Sequence, residues 1–67
     1  MSLTQMLVLL DAWMVARKYT TAQIAASKVI ATPWYKERAS GFVGMTDDEF
    51  DAMLTSVYWP YLCDYPA

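Results

Sequence analysis

The sequence predicts an all-α fold, a small module of three to four helices at about residues 2–19, 20–31, 33–40 and 46–59. Three observations predict it. The S/T-x-x-E/Q spacing of a capping box occurs at Ser2/Gln5, Thr20/Gln23 and Thr46/Glu49. Apolar residues recur at helical spacing, most cleanly at Phe50, Met53, Leu54, Val57 and Tyr58. Thr32-Pro33, Gly41, Gly44 and Pro60 then divide the chain.

The first helix begins at Ser2, the oxygen cap of its own first turn. Its residues from Leu3 to Ala16 are apolar almost all round. Polar residues fall at Thr4, Asp11 and Lys18, seven apart, which stacks them in one narrow stripe. A helix of that kind is covered on most sides. A 67-residue chain is short for wrapping it, so the pattern predicts self-association or a partner. The second helix is capped by Thr20 and carries Ala22, Ile24, Ala25, Ala26, Val29 and Ile30. Tyr19-Thr20-Thr21 is weak helix former but no breaker, so the reading is one continuous or gently kinked helix across it. Thr32-Pro33 predicts a new start, with Thr32 as cap and proline in the first turn, ended by Gly41. The last helix opens on Thr46-Asp47-Asp48-Glu49, acids at the end where the helix dipole favours them, and Pro60 stops it. The tail from Tyr61 to Ala67 is apolar and aromatic, and is expected to dock on the body or on a partner.

Composition bounds the function. The chain forms a single helical domain, residues 1–67, and 57% of it is hydrophobic without counting glycine. Ordinary domains reach about 45–50% with glycine included. One cysteine, Cys63, leaves no partner for an intrachain disulfide, and the absence of histidine leaves zinc without its usual ligands. The excess apolar surface therefore points to an interface. No transmembrane span is expected, because the longest apolar run, Met6 to Ala16, is broken by Asp11 and is too short. The first residues lack the basic start of a signal peptide, and a lone cysteine fits a reducing compartment, so the expected location is cytoplasmic. The chain starts on methionine and shows no tag, so it reads as a complete small open reading frame.

Charge is divided. Residues 1–44 carry all five bases against two acids, net +3, and residues 45–67 carry five acids and no base, net −5, giving −2 overall. Either two chains associate basic half to acidic half, or the helices of one chain complement each other.

No catalytic residue is assigned. General acid–base work most often uses histidine, and no triad can be built without one. Cys63 lies beside Asp64, which disfavours its thiolate, so it reads as a small buried hydrophobe. Asp47, Asp48, Glu49 and Asp51 are consecutive acids opening a helix rather than the alternating ligands of a calcium loop. No metal or cofactor is expected. Thr21–Ala26 followed by a helix from Pro33 resembles a helix-turn-helix, but the turn position usually held by glycine is Val29. Two positions that motif buries are Lys28 and Arg38, so nucleic acid is a weak candidate partner.

Two clusters remain. Leu3, Met6, Leu10, Trp13 and Met14 on the first helix, with Phe50, Met53, Leu54, Val57, Trp59 and Tyr61 further on, are the residue types enriched at protein interfaces. Trp34, Tyr35, Lys36 and Arg38 mix aromatics with cations, a combination that stacks a base and neutralises a phosphate. The leading expectation is a non-catalytic binding protein, a homo-oligomer or a subunit docked on a larger protein through the first cluster, with Asp47, Asp48 and Asp51 orienting the approach. Its size and character suit an accessory subunit or an inhibitor of the kind phages encode. The alternatives are a nucleotide binder with a site at a subunit interface, and a helix-turn-helix regulator.

Overall fold

A computed structural model describes residues 1–58, with side chains as far as Ser56. It is all-helical, with three α-helices and no strand among the described residues. Helix α1 spans Leu3–Ala16, α2 Thr21–Glu37 and α3 Asp47–Met53. A 3-10 turn, Ala39–Phe42, joins α2 to α3, and α3 continues into a π-helical turn, Leu54–Tyr58. Trp59, Tyr61, Cys63 and the predicted stop at Pro60 lie outside the described residues.

All three capping oxygens act as read. Ser2 accepts from the Gln5 N–H, and Thr20 and Thr46 form reciprocal boxes with Gln23 and Glu49. Two boundaries differ from the sequence reading. Helices α1 and α2 are separate, because Lys18 adopts a left-handed conformation, φ 64°. The Lys18 N–H reaches the Val15 carbonyl at 3.0 Å and the Tyr19 N–H reaches Met14 at 3.2 Å. That is a Schellman closure, which ordinarily places glycine where Lys18 stands. Tyr19 packs onto the core beyond it. The second difference is at Pro33, which lies inside α2 instead of starting a helix. Proline withdraws the N–H owed to the Val29 carbonyl. Val29 is on the solvent side, and the Thr32 hydroxyl donates to the Lys28 carbonyl at 3.0 Å. Ala31 and Trp34, buried on either side of Pro33, hold the helix in place.

Helices α1 and α2 form an antiparallel hairpin. Asp11 pairs with Lys28, and the Tyr35 hydroxyl donates to the Met1 carbonyl at 2.6 Å. The face of α2 turned inward carries Ile24, Ser27, Ala31 and Trp34, and the small Ser27 and Ala31 let α1 come close. Helix α3 lies alongside α1. Gln5 donates its amide to Asp47 at 2.9 Å, and the Trp13 indole N–H donates to the Thr55 hydroxyl at 3.3 Å. Met6, Leu10, Trp13 and Met14 of α1 meet Phe42, Phe50 and Leu54 in one core. Phe42 links the elements through its ring, 5.4 Å from Trp34 edge to face and 6.0 Å from Phe50. Edge-to-face pairs of this kind exploit the ring quadrupole.

Candidate interaction surface

The apolar stripe of α1 proves to be two stripes. One faces inward through Met6, Leu10, Trp13 and Met14. The other faces outward through Val8, Ala12 and Val15, with Val8 61% and Val15 57% exposed. The spacing of the outward set, i, i+4, i+7, is itself that of a helix face. The narrow polar stripe does not form the solvent side. Lys18 lies beyond the helix end, and Asp11 is turned toward Lys28.

The predicted interface residues therefore separate. Met6, Leu10, Met14, Phe50 and Leu54 are essentially inaccessible and Trp13 is nearly so, because the chain's own helices cover them. They are core within this chain, packed in one cluster by its own helices. Leu3 and Met53 are half-buried against the core edge. The Val57 side chain, Trp59 and Tyr61 lie outside what is described. Sequence reasoning passed over Val8 and Val15. The available signal was their seven-residue spacing with Ala12 between, which the surrounding apolar residues hide.

Two hollows flank the outward stripe, and Ala12 lines both. On the α2 side a shallow hollow of about 560 Å³ runs past Leu7, Val8, Asp11 and Val15 to Lys28. On the α3 side a smaller one of about 240 Å³ lies between Leu9, Ala16 and Arg17 and the carboxylates Asp47 and Asp51. The Arg17 guanidinium stacks 3.5 Å from the Trp13 ring and donates to the Trp13 carbonyl, roofing that core residue.

The aromatic–cation cluster is also divided. Trp34 and Arg38 line a hollow of about 420 Å³ with Phe42, Met45 and Met53. Tyr35 instead packs on Phe42 at 4.6 Å and bonds Met1, while Lys36 is exposed and lines no part of it. Arg38 sits 5.6 Å from the Trp34 ring and 3.4 Å from Glu37, an exposed pair. Only half of the predicted patch thus shares one hollow. The helix-turn-helix register fails, since Val29, the required turn, is in the middle of α2.

Acids open α3 as capping groups. Two hydrogen bonds from Thr46, backbone first and then side chain, hold the Glu49 carboxyl below its ordinary value. Among the described residues no group of three or more His, Cys, Asp or Glu is arranged to hold a metal ion, and no helix is long and apolar enough to cross a membrane. Comparison with protein-family models, with curated proteins and with solved structures finds no match to this chain.

Proposed function

We propose that the protein is a small non-catalytic binding module that works by association through an apolar helix face. The observation carrying this reading is the second apolar stripe of α1, Val8, Ala12 and Val15, on a helix whose first stripe already fills the core. Exposed valines on one short ridge lose water contact favourably when a surface closes over them, at roughly 25 cal/mol per Å². The absence of histidine supports a role without acid–base chemistry.

The test is a photoreactive p-benzoyl-phenylalanine placed at Val15, with the same residue at Asp48 as control, in cells making the protein. The expected result is a defined protein adduct at position 15, to a second copy or to another protein, and none at position 48. Equal, diffuse labelling at both positions would remove the reading.

A second reading, a small-ligand site, is favoured by the hollow beside Trp34 and Arg38. Its volume falls within the roughly 300–1,000 Å³ of small-molecule pockets. An aromatic wall and a guanidinium suit a planar anion such as a nucleotide. Calorimetry against a nucleotide panel decides it, and no heat with any member excludes it.

A further inference from the structure

We propose that the outward ridge of α1 pairs with the same ridge on a second copy, the two α1 helices running parallel about a two-fold axis. This rests on the association reading above and names its partner. A two-fold interface must be self-complementary, and the charges beside the ridge decide which two-fold is allowed. Lys28 and its ion-pair partner Asp11 flank it on one side, and Asp47 and Asp51, with Arg17 at the end, on the other. An axis lying across the helices, which makes them antiparallel, sets Lys28 over Lys28 and acid over acid. An axis lying along the helices sets each Lys28 toward the other copy's acids.

The heights agree as well. Gln5–Asp47 and Trp13–Thr55 are both 42 residues apart, so α3 runs parallel to α1 and Asp51 lies level with residue 9. Lys28 is level with Asp11, its partner within the chain. The offset is about two residues, roughly 3 Å along the axis. Each Lys28 then sits between its own Asp11 and the partner's Asp51. Arg17, at the far end of the acidic flank, stays on the Trp13 ring. Val8 and Val15, seven apart with Ala12 between them, repeat at the heptad spacing of a helix–helix seam. The small Ala12 beside them allows close approach.

Sedimentation equilibrium of the full chain over a concentration series tests this, with circular dichroism to confirm the fold. The expected result is a monomer–dimer equilibrium. Val8→Asp and Val15→Asp should each weaken it on the order of 100-fold, because each buries an unpaired charge in the seam. Lys28→Glu and Asp51→Lys should each weaken it several-fold, and the double variant should recover most of the loss. Should the valine variants lose helix, that recovery decides alone. Val8→Cys in a Cys63→Ser background should form a disulfide-linked dimer under mild oxidation, since parallel pairing about the ridge sets Val8 against Val8, whereas antiparallel pairing sets it against Val15. A wild-type chain of constant monomer mass overturns the inference, and adducts to another protein at position 15 would then leave the broader reading standing. Dimers indifferent to the valine changes, or a double variant no better than the singles, overturn it too.

Discussion

At Lys18 the chain carries a lysine in a conformation that suits glycine. The left-handed region costs an L-residue roughly 1–2 kcal/mol, partly offset by the freedom glycine must lose. Lys18→Gly should therefore stabilise the protein by about 0.5–1 kcal/mol, read from urea unfolding. This turn was hard to read from sequence because glycine is its usual marker. What remained legible was Thr20 just after it, as the cap of the next helix. Trp13 is the opposite case. Its type suggested an external anchor, yet it is buried beneath Arg17. Trp13→Ala is expected to remove about 3–5 kcal/mol of fold stability, seen as a lowered melting temperature at any protein concentration.

Among the elements, α3 depends most on its cap, having seven residues. A helix that short is marginal alone. Thr46→Ala should cost about 1 kcal/mol in urea unfolding. The Glu49 carboxyl is held below its ordinary value by Thr46. Its contribution is therefore complete above the unfolded value and lost as pH falls through the folded one. Glu49→Gln should flatten that part of the acid melting profile, and thermal melts from neutral to acid pH check it. Pro33→Ala should restore the bond to the Val29 carbonyl and raise stability by roughly 1–3 kcal/mol in the same unfolding assay. Element existence was legible because caps and periodicity are local. The continuity of α2 was not, since proline signals a start and a break alike. Burial of Ala31 and Trp34 on both sides of it is a tertiary fact.

For the whole molecule, a chain of this length has on the order of 3–10 kcal/mol to lose. Phe50→Ala, in the centre of the core beside Phe42, removes about 3–5 of them. It should abolish cooperative melting above room temperature, as followed by circular dichroism. The excess of apolar residues was visible from the start, but the division of α1 into an inner and an outer face was not. Composition counts apolar groups, and only the seating of α2 and α3 decides which of them are covered. The same seating orders events in time. The Schellman closure joins α1 to α2 through neighbours in sequence, whereas α3 reaches α1 across 42 residues. Local closures are fast, and distant ones wait on loop entropy. The hairpin should thus form within the folding transition state and α3 should dock after it. In temperature-jump relaxation, Lys18→Gly should act mainly on the folding rate and Thr46→Ala mainly on the unfolding rate.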